Sequence, residues 1–256
     1  MKQIFESFCI AFSTYSVIPM PNVKWTESNR RYSLIFFPFV GVIIGIALGV
    51  FYLFYERLNL TNIIFAALAT AIPVWLTGGI HIDGFCDTCD ARASHKSMEQ
   101  KLLILKDPGV GAFAVIKCIL YFLLMFSAFA FVSEQGIYAM CFVFVISRVL
   151  SALSVIHLKC AKTSSMAAGF KHAADKKQVT AVLCIELAAV ILIMCIFFRP
   201  YFEIIFCCSA LVFLYYERIS TKEFGGITGD LAGYFLSLCE LVSLWGILLL
   251  ERWILL

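Results

Sequence analysis

Charge is what this chain has least of. Asp, Glu, Lys and Arg together make up 14% of its 256 residues, against 62% hydrophobic. An average soluble domain is about 25% charged and roughly 45–50% apolar. A soluble protein of this length has no way to hide so much apolar surface, and an ordinary soluble globule is excluded. No secretory signal is expected, since the first residues include Glu6 and no apolar core ending in a small-residue cleavage site. There is no Walker A pattern, Gly-x4-Gly-Lys-[Ser/Thr], which argues against an ordinary ATPase. There is also no internal repeat, no low-complexity linker and no segment that reads as a separate soluble domain. A second CxxC is missing as well. The single Cys86–Cys89 pair is therefore a weak zinc or redox signal. Cysteine itself is plentiful, at eleven, but seven of these (Cys118, Cys141, Cys184, Cys195, Cys207, Cys208, Cys239) sit in apolar blocks and read as small hydrophobes.

The apolar residues run in long blocks of about the length a helix needs to cross a bilayer. Seven spans are expected, near 33–54, 61–80, 112–132, 137–156, 179–198, 201–216 and 231–250. The fold class is thus all-α, a polytopic helical membrane bundle, read as one catalytic domain over residues 1–256. Residues 5–20 suggest an interfacial or re-entrant helix. The first span carries Gly41, Gly45 and Gly49, a small-residue stripe that allows close helix approach and a homo-oligomer through that face. With a cytoplasmic N-terminus, the inside segments hold fifteen Lys and Arg and the outside segments three (Arg57, Arg199, Arg252). This asymmetry places the loops near 81–111, 157–178 and 217–230 in the cytoplasm.

Aspartate is scarce too, at six, and five of the six fall where a cytoplasmic loop meets a span. Asp83, Asp87 and Asp90 lie in Gly78-Gly79-Ile80-His81-Ile82-Asp83-Gly84-Phe85-Cys86-Asp87-Thr88-Cys89-Asp90. At about 100° per residue these three sit at roughly 0°, 40° and −20° on a helix, one shared face. Anions so close repel one another, and a divalent cation relieves the repulsion. An all-oxygen donor set suits Mg²⁺, which keeps waters and takes substrate phosphate oxygens. Asp107 lies in Lys106-Asp107-Pro108-Gly109-Val110-Gly111, and Asp230 in Gly225-Gly226-Ile227-Thr228-Gly229-Asp230. His81 is a candidate ligand or general base, and equally a structural polar residue.

The glycine segments Gly225–Gly229 and Gly109–Gly111 each precede a span. Each is a candidate phosphate cradle at a helix N-terminus, or simply a tight turn. Arg148, midway along the fourth span, is a candidate to bind phosphate, to pair with an acid of the cluster, or to form a structural ion pair. Lys106, Lys159 and Lys162 are further candidate phosphate contacts. Carboxylates for metal, glycine turns for phosphate and basic residues, all at one interface, point to transfer of a phosphate-linked group.

Three segments, in this order, resemble the cobalamin synthase family, also called adenosylcobinamide-GDP ribazoletransferase. They are Gly78-Gly79-Ile80-His81-Ile82-Asp83-Gly84-x2-Asp87-Thr88-x-Asp90, Lys106-Asp107-x2-Val110-Gly111 and Gly225-Gly226-x-Thr228-Gly229-Asp230-x2-Gly233. The stretch Ile18-Pro19-Met20-Pro21 and Arg148 fit the same resemblance, which runs through the whole chain. Cys86 and Cys89 stand where alanine is common in that family, and Ala161–Phe170 matches only loosely. The resemblance implies a multi-pass enzyme of the prokaryotic cytoplasmic (inner) membrane, using Mg²⁺ and facing the cytoplasm. It implies joining of α-ribazole, or its 5′-phosphate, to adenosylcobinamide-GDP, with release of GMP and no nucleic acid involved. Carried over, Asp83, Asp87 and Asp90 would hold metal. Asp107 and Asp230 would complete the site or orient the attacking 5′-hydroxyl, His81 would be a base, and Lys106, Arg148, Gly225, Gly226, Thr228 and Gly229 would meet phosphate.

Rival families fit less well. The CDP-alcohol phosphotransferase pattern fails after Asp83-Gly84. Membrane prenyltransferases need a second Asp-x3-Asp motif, and only Asp230 appears late in the chain. A transporter would place its polar residues near the midplane, often with an inverted repeat. Here the acids gather at one interface.

Overall fold

The computed structural model describes residues 2–161 and 165–254. Among these the regular elements are all helices: α1 (Lys2–Tyr15), α2 (Glu27–Arg30), α3 (Ser33–Arg57), α4 (Asn62–Thr77), α5 (Ile80–Ala93), α6 (Met98–Ile104), α7 (Ala112–Phe129), α8 (Glu134–His157), α9 (Met166–Ala173), α10 (Lys176–Phe197), α11 (Arg199–Phe224) and α12 (Gly229–Ile254). Each expected span coincides with one helix. Five of them (α3, α7, α8, α10 and α12) are long and apolar enough to cross a bilayer, and the bent pair α4–α5 makes a sixth if counted as one. The segment 201–216 lies within α11, which also carries Glu203, Glu217, Arg218, Lys222 and Glu223 and is not among these.

Burial, more than hydropathy, separates interior helices from lipid-facing ones. The most apolar window of α8 is 78% buried inside the protein and that of α12 72%, against 28% for α7 and 22% for α10. The outer faces of α7 and α10 present Phe113, Ile116, Leu123, Ile185, Leu192 and Ile196 outward, as lipid-facing surfaces do. A helix was expected over residues 5–20, and α1 covers Lys2–Tyr15 of the N-terminal stretch. It buries Ser7, Cys9, Ile10, Ala11 and Phe12 and packs on α3.

The glycine stripe gives the close helix approach expected of it, and it does so within the chain. A Cβ on Gly41 would lie 2.3 Å from the Phe144 carbonyl oxygen, and one on Gly45 2.9 Å from that of Cys141. Both glycines are buried against α8 of the same chain. The stripe is spent on intramolecular packing, and those two positions are closed to a second copy.

One feature of the backbone positions the acids. Gly78 and Gly79 take left-handed conformations in succession, with φ of 64° and 80°, which only glycine adopts readily. They end α4 and turn the chain by 95° into α5.

Candidate active site

The site is built on α5. Its acids share one face as the spacing requires: Asp83 is exposed, and Asp87 and Asp90 are half-buried. The N-terminal turn of α12 lies directly against α5. A Cβ on Gly84 would stand 2.7 Å from the Asp230 carbonyl oxygen, and one on Gly233 3.0 Å from that of His81. These two glycines let the backbones touch, which brings Asp230 beside Asp83 across 147 residues of chain. Thr228 caps α12: its Oγ1 accepts from the Leu231 amide at 3.1 Å and donates to Asp230 Oδ2 at 3.4 Å.

Asp83 and Asp230 open onto a cavity of about 330 Å³, together with Thr228, Gly229 and Lys106. Five of the sequence-predicted residues thus meet here from α5, α12 and its cap, and the segment after α6, while Asp87 lies one turn along α5 and does not line the cavity. In the first turn of α12 the Leu231 amide is held by Thr228 Oγ1, while that of Gly229 has no intrahelical acceptor, and a Cβ on Gly229 would meet nothing within 4 Å. Open space thus adjoins a helix N-terminus, the setting in which anions bind. His81 also lines the cavity. It belongs to α5 rather than to the preceding turn, and it is 9% exposed.

Other expected residues have other work. Asp90 turns toward α7, where Oδ1 accepts from the Ala114 amide at 2.8 Å and Oδ2 from the Gly111 amide. Both oxygens cap a helix N-terminus, a strong charge-assisted arrangement. Asp107 folds back on its own turn and accepts from the Gly109 amide at 2.9 Å. Gly225 takes φ of 72° as the C-cap of α11. Gly226 passes close to the backbone of 159–161, where its Cβ would come within 2.5 Å of the Lys159 carbonyl oxygen. The Gly226 amide goes to Ser220 and that of Ile227 to Lys159, so these amides of the candidate cradle already have acceptors. Lys162 lies outside the described residues.

Arg148 does not line the cavity. It is fully buried, and its Nη1 donates to Glu240 Oε1 and to the Phe144 carbonyl, each at 2.8 Å, while its guanidinium lies 5.9 Å from the Phe37 ring. Of the three roles open to it, the structure selects the structural ion pair. Burial leaves no phosphate access, and Glu240 of α12 neutralises the charge.

Sequence reasoning passed over Glu240, although a lone acid in the last span was the signal. It also passed over a second network beside the cluster. Arg92 of α5 pairs with Glu223 of α11 at 3.0 Å and donates to Tyr215 and Tyr234, and Lys101 of α6 joins Glu223 at 2.8 Å. Partial burial pushes the Glu223 carboxyl up, but hydrogen bonds from Lys101 and Arg92 outweigh it and hold it below the ordinary glutamate value. This network fixes α5, α6 and α11 around the site.

Among the described residues, no three His, Cys, Asp or Glu side chains converge as a closed metal cluster, and Cys86 and Cys89 are free thiols. The donors that are present fit Mg²⁺ in its usual protein setting, one or two carboxylates with waters and substrate phosphates completing the shell. Asp83 and Asp87, one helical turn apart at about 6 Å between Cβ atoms, are such a pair.

The family described as cobalamin-5-phosphate synthase matches residues 7–248. The chain belongs to this family. A relative from Lachnoclostridium phytofermentans, named adenosylcobinamide-GDP ribazoletransferase, is 43% identical over 242 residues, covering 93% of this chain and 91% of its own. Relatives of the same name from Clostridium botulinum strain Alaska E43 and from a Geobacillus strain are 34% and 31% identical, covering 95% and 98% of this chain and 97% and 98% of their own. No solved structure matches. The match to the cobalamin-5-phosphate synthase family runs from α1 to α12, so the acids of α5, the first turn of α12 and the cavity between them all fall inside it. Membership of this family sets aside the transporter and the two rival transferases.

Proposed function

We propose that this chain is an adenosylcobinamide-GDP ribazoletransferase acting at the last stage of cobalamin nucleotide-loop assembly. The observation that carries the reading is the meeting of Asp83, Asp230 and the open first turn of α12 at one cavity, within a family match covering nearly the whole chain. A secondary ribose hydroxyl of α-ribazole attacks the cobinamide-bearing phosphorus; the 5′ position is a bystander, since it still carries its phosphate when the product is adenosylcobalamin 5′-phosphate. The P–O bond to GMP breaks, GMP leaves, and adenosylcobalamin or its 5′-phosphate forms.

The roles divide as follows. Asp83 and Asp87 would hold Mg²⁺, which when bound neutralises the diphosphate and stabilises the leaving phosphate. Asp230, fixed by Thr228, orients the attacking hydroxyl and accepts its proton. The Gly229 amide at the start of α12 and Lys106 meet phosphate oxygens. Asp90 supports the site by anchoring α7 to α5. The site faces the cytoplasm; the fifteen-to-three distribution of Lys and Arg supports this orientation.

The test is direct. Purified protein in lipid, given Mg²⁺, adenosylcobinamide-GDP and α-ribazole, is expected to release GMP, to stop on chelation and to resume when Mg²⁺ is restored. A folded sample that releases no GMP defeats the activity. Release that continues undiminished in excess chelator defeats the metal assignment alone.

A further inference from the structure

The roles above occupy one side of the cavity and leave the other without an occupant. That other side is aromatic. The rings of Tyr15 and His81 lie 6.4 Å apart and nearly parallel, Phe37 is 5.8 Å from His81, and Phe170 is 6.0 Å from Tyr15. At the centre His81 is 9% exposed, and its Nε2 has no hydrogen-bond partner among the described residues. A buried polar atom is costly to leave unpaired. One that lines a cavity is placed for a partner that arrives with a ligand.

Size and chemistry choose the ligand. About 330 Å³ lies at the lower end of small-molecule pockets. It admits a nucleoside base and excludes a corrin ring. Guanine, the other base in the reaction, carries an edge of adjacent N–H donors that calls for a carboxylate, whereas the cavity's carboxylates, Asp83 and Asp230, are taken up in the roles above and this wall offers His81, Ser151, Ser165 and the Tyr15 hydroxyl among hydrocarbon. The benzimidazole of ribazole is a flat apolar bicycle with a single free acceptor, N3, once its N1 is bonded to ribose. One buried ring nitrogen among aromatic walls matches one acceptor on an aromatic base.

We infer that the aromatic side of the cavity is the base pocket for α-ribazole. Tyr15, Phe37 and Phe170 enclose the benzimidazole, and neutral His81 donates from Nε2–H to N3. This rests on the ribazoletransferase reading and deepens it: seating the base beside His81 directs the ribose, with its attacking secondary hydroxyl, toward Asp83 and Asp230. His81 is then a specificity-determining residue and no base.

The experiment compares α-ribazole with its indole isostere, which keeps the shape and lacks N3. Binding of each alone to the full-length protein in nanodiscs is measured by calorimetry. Wild type is expected to prefer α-ribazole by about fivefold to tenfold, the size of one net hydrogen bond. His81→Leu removes the preference and leaves the indole compound bound as before, while His81→Gln, which keeps a donor, retains part of it. Phe170→Leu weakens both ligands alike and leaves KM for adenosylcobinamide-GDP unchanged. A melting temperature within a few degrees of wild type qualifies each variant; the wild-type comparison needs no variant at all. A wild type without preference, or a His81→Leu variant that keeps it, overturns the pocket assignment even if GMP is released. Absence of GMP release with both ligands still discriminated overturns the transferase reading instead.

Discussion

Asp90 accepts from the Gly111 and Ala114 amides, whereas Asp83 reaches the cavity wall. Residues on one helix face thus have separable losses. Asp90→Asn removes a charge from the N-terminus of α7, worth about 1 kcal/mol. A lower melting temperature with much of the turnover retained is expected. Asp83→Asn and Asp87→Asn are each expected to cut GMP release by at least about 100-fold, since metal stabilisation of the leaving phosphate is worth several kcal/mol, with insertion and melting unchanged. Reversal of the two patterns would exchange the roles. Arg148 behaves differently again. Arg148→Met leaves Glu240 buried and unpaired, a loss of about 3 kcal/mol, and a second change, Glu240→Leu, is expected to recover most of it. A double variant no more stable than the single one, by thermal melting in detergent, would refute the pairing. The candidate residues were legible because charge is rare in this chain: each Asp and Arg148 stood out against an apolar background. Their partners were not, because an ion pair between positions 148 and 240 leaves no local spacing to read.

At the level of helices, periodicity located the elements and missed their contacts. The 83–87–90 spacing predicts one acidic face, and α5 has it, because helical geometry is local. The use of glycine depends instead on long-range contact. Gly41 and Gly45 are as compatible with a second copy as with α8, and only the packed chain decides that the Phe144 and Cys141 carbonyls fill the groove. Gly225 and Gly226 read equally as a phosphate cradle or a tight turn, and the turn is what forms: it caps α11 and meets the 159–161 backbone. The contact of α5 with α12 carries the sharpest consequence. A methyl group on Gly84 would sit 2.7 Å from the backbone of Asp230, so the two helices must separate. Overpacking of this kind costs about 1–3 kcal/mol, and here the displacement falls on a reacting carboxylate. Gly84→Ala is expected to lower kcat by about tenfold or more while the protein still inserts. Gly229→Ala, with nothing within 4 Å of its Cβ, serves as the control for stability. Equal kcat for Gly84→Ala and wild type would show that the contact does not set the position of Asp230.

For the whole molecule, the number of crossings and the side of the site are one question. A cytoplasmic N-terminus and seven crossings put the end of α12 outside, with Arg57, Arg199 and Arg252 as the three outside cations. The parity is sensitive to two helices. Helix α4 has 16 residues before the bend, short for a span of about 20, and α11 is long but interrupted by charge at both ends. If either fails to cross, the end of α12 returns to the cytoplasm. Positive charge favours the odd count, because moving one crossing would place the Lys-rich stretch 171–177 or the 217–223 segment outside against the charge rule. A phosphatase reporter, active only outside, is expected to be active when fused after residue 256 and silent when fused after Asp175. A fluorescent protein that matures only in the cytoplasm should give the reverse pattern. Fluorescence from both fusions would mean an even number of crossings between residue 175 and the end of the chain. If α11 were the helix that fails to cross, Glu223 would lie outside, apart from cytoplasmic Arg92 and Lys101, so that result would contradict these ion pairs together with the odd count.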